Sequence, residues 1–369
     1  MISDANILEI DLKKIRNNIK TLKKLNDKED TKFFAVVKAN AYGLGAVEIA
    51  KYVENDIDAF CVSNINEAIE LRENGIKKDV LILGYVSPKN YLDLNKYNLI
   101  TTIYDLNIAK AINSLGILTR VHIKIETGHN RLGFKNTEEN ISHIKEIFQM
   151  KNISVEGIFS HLSSSDEKDH SYTNMQVAIF NDCIEKLKPH SNNIIKHISN
   201  DAAIIAYRGL NYDAVRSGIS MYGVYPSDFI KENYNINLEF PFKWKSKISF
   251  IKKIKKGEAI SYGRKFIANK DMKIATISVG YADGYHRLAS NRGYVLINDK
   301  KANIVGAITM DQMMVDVTNI RCNLHDDVIL IGGGDNSVIE IEELAKWNET
   351  ITYEIMTSIS NRVSRIYLR

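Results

Sequence analysis

The feature that most constrains the fold is an alternation of strand-like and helix-like segments over the first ~230 residues. Eight short apolar or β-branched runs recur there: FFAVVK (33–38), DAFCV (58–62), DVLIL (79–83), LITTI (99–103), RVHIKI (120–125), VEGIFS (155–160), NIIKHI (193–198) and YDAVRSG (212–218). Runs without polar alternation are typical of parallel strands that are buried on both faces, and parallel neighbours need crossover helices. Eight such units favour a closed (β/α)8 barrel, with an open doubly wound sheet as the alternative.

The pattern changes after residue 235. FKWKSKISF (242–250) alternates apolar and polar residues, which is typical of an antiparallel strand with one solvated face. Similar short runs follow at 273–282, 294–299, 313–318 and 327–333. We therefore predict an α/β fold with an N-terminal (β/α)8 barrel over residues 1–235 and a mainly β domain over residues 236–369.

Composition excludes several classes of protein. The chain has 369 residues, 44% of them hydrophobic and 25% charged, and its net charge of +4 is too small to indicate a nucleic-acid partner. No apolar run approaches the ~18 residues of a membrane span, and the first residues do not resemble a signal peptide. Cys61, Cys183 and Cys322 are widely spaced, and the histidines show no metal-ligand spacing. We expect a cytoplasmic protein without a metal, a membrane or a nucleic-acid partner.

Polar side chains follow several of the predicted barrel strands, at the end where barrel enzymes carry their chemistry. These residues are Lys38, Arg131, His161, Ser199, Asn200 and Arg216. A lysine among apolar neighbours has a lowered pKa, as a Schiff-base lysine requires, although a lone lysine at a strand end is more often a surface residue. Gly218 and the backbone N–H groups after the eighth strand lie where barrels commonly bind phosphate. The convergence of these groups predicts an active site at this rim.

The segment FFAVVKANAYGLG (33–45) resembles the cofactor-lysine signature of the alanine racemase family, which uses pyridoxal phosphate. The resemblance continues through HIKIETGHNRLGF (122–134), GIFSHLSSSDE (157–167), DAVRSGISMYG (213–223), ISYGRKF (260–266), SVGYADGY (278–285), TMDQMMVD (309–316) and TITYEIMTSISNRVSR (350–365). It covers essentially the whole chain. It implies an isomerase that interconverts L-alanine and D-alanine and supplies D-alanine for cell-wall peptidoglycan.

The resemblance also implies a role for individual residues. Lys38 would hold pyridoxal phosphate as a Schiff base and act as one catalytic base, while Tyr262 from the second subunit of a homodimer would be the opposite base. The other implied cofactor-binding residues are Tyr42, His161, Asn200, Arg216, Ser217, Gly218, Ile219 and Tyr353. The implied substrate-binding residues are Arg131, Met310 and Asp311, and the supporting ones are Lys124 (carbamylated in many members), Asp166 and Tyr281.

Two alternatives stay open: a racemase of serine or of several amino acids on the same fold, and a non-catalytic pyridoxal-phosphate-binding protein. Tyr353 favours a small substrate, and a β domain that carries Tyr262 argues against a binding protein, since such binders resemble the barrel alone. Asp201 stands where the family pattern has serine beside the phosphate, so we expect its carboxylate to turn away. Ala307 stands where many members have an arginine near the substrate entrance.

Overall fold

The computed structural model of the chain describes residues 5–26, 28–191, 193–207, 209–334 and 336–369. These residues form two compact units, and each unit is built from separate stretches of the chain. The barrel unit comprises Lys14–Ala41 and Ala46–Glu239, and the β unit comprises the residues up to Lys13, Tyr42–Gly45 and Phe240–Arg369.

The first part of the chain alternates strands and helices. Its elements are β1 (Asn6–Asp11), α1 (Leu12–Lys23), β2 (Lys32–Val36), α2 (Lys38–Tyr42), α3 (Ala46–Val53), β3 (Ala59–Val62), α4 (Ile65–Glu73), β4 (Asp79–Ile82), α5 (Tyr91–Lys96), β5 (Ile100–Ile103), α6 (Leu106–Asn113), β6 (Thr119–Glu126), β7 (Phe134–Lys135), α7 (Glu138–Phe148), β8 (Ile153–Phe159), α8 (Ser171–Ser191), β9 (Ile195–His197), α9 (Asp201–Ala206), β10 (Ala214–Ser217) and α10 (Asp228–Asn233).

The rest of the chain is mainly strand. Its elements are β11 (Phe242–Ile254), β12 (Ala259–Ile260), β13 (Phe266–Ile267), β14 (Met272–Ile277), β15 (Tyr294–Ile297), β16 (Lys300–Asn303), β17 (Met313–Asp316), β18 (Asp327–Gly333), β19 (Val338–Ile339), α11 (Ile341–Trp347), α12 (Thr352–Ser358) and β20 (Ser364–Leu368).

The predicted barrel is confirmed. Strands β2, β3, β4, β5, β6, β8, β9 and β10 pair in that order, and β10 pairs with β2 to close the ring. Every pair in the ring is parallel. Several strands are buried on both faces, as is β3, where all four residues are buried. Because parallel strands end at one rim, the segments that follow them are brought together there.

The β unit is built around the long strand β11, which pairs antiparallel with β1, β14 and β18. Its alternating residues face a core that includes the fully buried Trp244, as the period-two pattern predicts. The first strand of the chain, β1, lies between β11 and β20 in this sheet. The sequence patterns did not single out β1, and the structure assigns it to the β unit rather than to the barrel unit.

Among the described residues, no helix combines the length and the apolar character needed to cross a membrane.

Candidate active site

Lys38 lies at the end of the first barrel strand, where the chain enters an unusual turn. Ala39, Asn40 and Ala41 all have left-handed helical backbone angles, with φ between 51° and 53°. Left-handed angles cost roughly 1–2 kcal/mol for each residue that is not glycine, so other interactions must stabilise the turn. The Glu67 carboxylate accepts a hydrogen bond from Ala39 N (2.8 Å), and Asn40 Oδ1 accepts one from Ala46 N (2.8 Å). These bonds fix the backbone on both sides of the turn.

The Lys38 amine is half-buried, and burial lowers its pKa below the ordinary lysine value. The positive charge of Arg131 lowers this pKa further, and the charge of Arg216 adds a smaller effect in the same direction. Glu67 and Cys61 oppose these effects. A larger fraction of Lys38 is therefore a neutral amine, which is the form that attacks a carbonyl carbon or accepts a proton.

A buried chain of polar groups crosses the interior of the barrel behind this lysine. Arg216 Nη1 donates to His197 Nδ1 (2.7 Å), and the two histidine nitrogens His197 Nε2 and His122 Nδ1 lie 2.9 Å apart. Since an arginine only donates hydrogen bonds, His197 Nδ1 is the acceptor. The proton of His197 is therefore on Nε2, which donates a hydrogen bond to His122 Nδ1. Burial lowers the pKa of His122 to about 3 and that of His197 well below its usual value. Both rings are therefore neutral at neutral pH.

The Arg216 guanidinium is the fixed charge at the end of this chain. It also donates to Ser160 O (2.8 Å) and Ile198 O (3.1 Å), and it lies 3.3 Å from His161 Nδ1. Burial lowers the pKa of Arg216 to about 10, so the group keeps its charge at neutral pH. Burial also lowers the pKa of His161 well below its usual value.

The turn after the fifth barrel strand presents Arg131 at the surface. Glu126 fixes this turn, because its carboxylate accepts hydrogen bonds from Gly128 N (2.5 Å) and Arg131 N (3.2 Å). The Lys124 amine lies 4.5 Å from the centre of the Phe159 ring, and burial together with the charges of Arg216 and Arg131 lowers its pKa well below the usual value. A larger fraction of the Lys124 amine is therefore neutral than in an exposed lysine.

The loops after the seventh and eighth barrel strands meet at Asp201. The Ser217 hydroxyl donates to Asp201 Oδ1 (2.5 Å), and Gly218 N donates to Asp201 Oδ2 (2.8 Å). The carboxylate therefore lies on two groups that the family resemblance assigns to the phosphate, because such hydrogen-bond donors attract any anion, including a carboxylate of the chain itself. The expectation that it turns away from a bound phosphate stays a prediction.

Asn200 and Asp166 stabilise nearby loops in the barrel unit. Asn200 Oδ1 caps the following helix by accepting from Ala203 N (3.1 Å), and it also accepts from the Ser165 hydroxyl (2.8 Å). The backbone oxygen of Asp166 accepts a hydrogen bond from the Ser227 hydroxyl (2.8 Å).

Ile219 is fully buried in the barrel unit, and the other remaining predicted residues belong to the β unit. Tyr262 lies in a short turn with 72% of its side chain exposed, and Ser261 before it has a positive φ of 65°. The Ser261 hydroxyl donates to Ala307 O (2.6 Å), which ties this turn to the segment 307–311. Tyr281 N in turn donates to Thr309 O (3.1 Å) in the same segment.

The segment 307–311 therefore connects four predicted residues of the β unit: Tyr262, Tyr281, Met310 and Asp311. Tyr281 is 42% exposed and Met310 is 53% exposed. Asp311 accepts a hydrogen bond from Arg362 Nη2 (2.8 Å). Gly280 permits this packing, since a Cβ there would lie 2.3 Å from Thr309 O and 2.4 Å from Met310 O.

Tyr42 and Tyr353 form a second group in the β unit, with ring centres 6.0 Å apart. Gly43 beside them has a positive φ of 85°, and a Cβ there would lie 2.3 Å from Met356 O.

Sequence reasoning missed Glu67, Glu126, His122 and His197. Glu67 lies in helix α4, and the other three residues lie in strands β6 and β9, but nothing in a single sequence showed which side chains meet across the barrel.

The comparisons with known proteins agree with this geometry. Models of the alanine racemase N-terminal and C-terminal domains match residues 10–226 and 242–367. An alanine racemase of Methanococcus maripaludis is 40% identical over all of both chains. The chain belongs to the alanine racemase family.

Solved structures of alanine racemases resemble the whole chain. That of Clostridium difficile 630 has a TM-score of 0.94 and 39% identity, covering 100% of this chain and 97% of its own. That of Bacillus anthracis with bound L-Ala-P has a TM-score of 0.95 and 31% identity, covering 100% of this chain and 96% of its own. The expectation of an isomerase of the alanine racemase family is confirmed. Across the described ranges, no group of three or more His, Cys, Asp or Glu side chains is placed to hold a metal ion.

Proposed function

We propose that the chain is a pyridoxal-phosphate-dependent racemase of free alanine. The observation that carries the proposal is the half-buried Lys38 amine, whose pKa burial lowers and which feels the charges of Arg131 and Arg216. A neutral amine of this kind suits covalent attachment of the cofactor's aldehyde carbon.

The donor set also fits such a cofactor. The Ser217 hydroxyl and Gly218 N already hold one anionic group, the carboxylate of Asp201. Arg216 is buried and charged, and it would face the pyridine nitrogen as a hydrogen-bond donor without giving up its proton. His161, Asn200 and Ile219 would complete the barrel's share of the site, with Tyr42 and Tyr353 from the β unit.

Inversion requires that a proton leaves one face of the α carbon and returns to the other. When bound, pyridoxal phosphate withdraws electrons from that carbon and makes its proton acidic. The Lys38 amine would exchange the proton on one face, and the Tyr262 hydroxyl from the second subunit would exchange it on the other. A positioned base contributes about 10²–10⁴ in rate. Arg131, Met310 and Asp311 would orient the substrate carboxylate, supported by Lys124, Asp166 and Tyr281.

We propose a homodimer in which each site combines the barrel rim around Lys38 of one subunit with the β-unit surface around Tyr262 of the other. Tyr262, Tyr281 and Met310 are exposed on segments that hydrogen bonds tie together, and this supports the arrangement because clustered exposed apolar side chains mark interaction surfaces. From the family resemblance we also propose that the enzyme is cytoplasmic and supplies D-alanine for peptidoglycan.

The test is to incubate the purified protein and pyridoxal phosphate with L-alanine or with L-serine, and to separate the enantiomers by chiral chromatography. We expect alanine to reach equal amounts of both enantiomers and serine to react more slowly. The matched control is Lys38→Ala, which should lose both activity and the cofactor that borohydride fixes to the chain. Faster inversion of serine would support a serine racemase. Bound cofactor without inversion of either amino acid would support the binding-protein alternative.

A further inference from the structure

The strongest departure from the family pattern lies where the loops after the seventh and eighth barrel strands meet. Asp201 is only 6% exposed, yet its carboxylate has hydrogen-bond partners on both oxygens. Oδ1 accepts from the Ser217 hydroxyl at 2.5 Å and Oδ2 accepts from Gly218 N at 2.8 Å. The backbone N–H groups of Ile219 and Ser220 also donate toward this carboxylate. We call this set of donors, from Ser217 to Ser220, the anion cradle.

The anion cradle has the chemistry of a phosphate site. It offers a hydroxyl and successive backbone N–H groups, and the Asp201 carboxylate is the anion that contacts them. Under the proposed function, Ser217, Gly218 and Ile219 bind the cofactor phosphate, so the inference below rests on that proposal. Each N–H group has one proton to donate, and it cannot bind a carboxylate and a phosphate at full strength together. Two anions on the same donors also repel each other.

We propose that the Asp201 carboxylate occupies the anion cradle of the cofactor-free chain and that a phosphate-bearing ligand must displace it from Ser217 and Gly218. Asp201 thus stabilises the empty cradle and lowers its affinity for phosphate. Burial raises the pKa of Asp201, which makes its ionised form less stable in this position and eases its displacement. The family pattern of serine at this position would lack the internal anion.

The experiment compares the full-length chain, freed of cofactor, with its Asp201→Ser and Asp201→Asn variants. Asn is close in size to Asp and guards against a folding defect in the serine variant. The matched control is Asp105→Ser, which removes one negative charge at a helix cap that serine also satisfies. Two ligands are titrated: pyridoxal phosphate, and pyridoxal, which has no phosphate. Binding is followed by visible absorption and by the cofactor fixed to Lys38 with borohydride.

We expect both Asp201 variants to bind pyridoxal phosphate about tenfold more tightly than the unchanged chain, since they lose the competitor for charge-assisted hydrogen bonds. Pyridoxal affinity should be the same in all four proteins, and Asp105→Ser should match the unchanged chain with both ligands. Unchanged or weaker binding of pyridoxal phosphate in the Asp201 variants would overturn the inference. An equal gain for pyridoxal would overturn it as well, because the effect would then not concern phosphate.

A second measurement separates failure of this inference from failure of the proposed function. Inorganic phosphate is added to each cofactor-free protein and the unfolding temperature is recorded. Phosphate should raise this temperature more in Asp201→Ser than in the unchanged chain, whether or not Lys38 binds a cofactor. Absence of any cofactor on Lys38 would contradict the proposed function alone. Equal phosphate effects in both proteins would contradict the role of Asp201.

Discussion

Replacing Arg216 with methionine tests whether the buried guanidinium stabilises the barrel or merely serves a ligand. The substitution keeps an unbranched apolar stem and removes the donors to Ser160 O, Ile198 O and His197 Nδ1. Hydrogen bonds from a charged donor are worth about 1.5–3 kcal/mol each, so these three together contribute about 5–9 kcal/mol.

An opposing effect comes from removing a buried charge. Burial lowers the pKa of Arg216 to about 10, and the corresponding penalty, about 3 kcal/mol, is recovered in the methionine variant. The loss of hydrogen bonds is the larger effect. We therefore expect Arg216→Met to reduce the free energy of unfolding by about 2–6 kcal/mol.

The assay is urea unfolding of the cofactor-free protein followed by far-ultraviolet circular dichroism, with Arg120→Met as the matched control. Arg120 bonds to Asp79 and Glu156, but all three side chains reach solvent, with 26%, 42% and 29% exposed. Its loss should cost about 1 kcal/mol, because water can replace it. If Arg216→Met unfolds at the same urea concentration as Arg120→Met, the buried hydrogen bonds do not stabilise the barrel as argued.

Two further predictions concern other parts of the barrel unit. Arg131→Ala removes a positive charge that lowers the pKa of Lys38, so this pKa should rise. The acid limb of the pH profile for cofactor loading should then move to higher pH. An unmoved limb would show that the two charges do not interact. Gly157 pairs with His122 across two strands, and a Cβ there would lie 2.5 Å from the imidazole ring. Gly157→Ala should therefore destabilise the protein by about 1–3 kcal/mol in thermal unfolding, and an unchanged unfolding temperature would contradict this packing argument.

The barrel was predictable because strands such as β3 are buried on both faces and have uninterrupted apolar runs, and because strand-like and helix-like segments alternate along the chain. The same reasoning failed for β1. Its residues NILEID alternate buried and half-buried positions, and they lead directly into the amphipathic helix α1, so no turn separated the two patterns. Its neighbours β11 and β20 lie more than 200 residues away in the sequence, and pairing over that distance leaves no local signal.

Within the candidate site, sequence showed which residue types lie at the strand ends but not how their side chains bond. His197 was visible only as part of a strand, yet it links Arg216 to His122. Asp201 was noticed as a departure, but a single sequence could not show that its carboxylate accepts hydrogen bonds from Ser217 and Gly218. Such contacts depend on the three-dimensional meeting of two loops.

The central claim is that two bases from different subunits, Lys38 and Tyr262, invert alanine at one site. It is tested most directly by mixing the inactive variants Lys38→Ala and Tyr262→Phe, then unfolding and refolding them together. In a mixed dimer one site carries both defects and the other carries both intact bases. With random exchange about half the dimers are mixed, each with one intact site, so activity should return to about a quarter of the unchanged enzyme. Verified mixed dimers that remain inactive would contradict the claim, because both bases would then have to come from one chain.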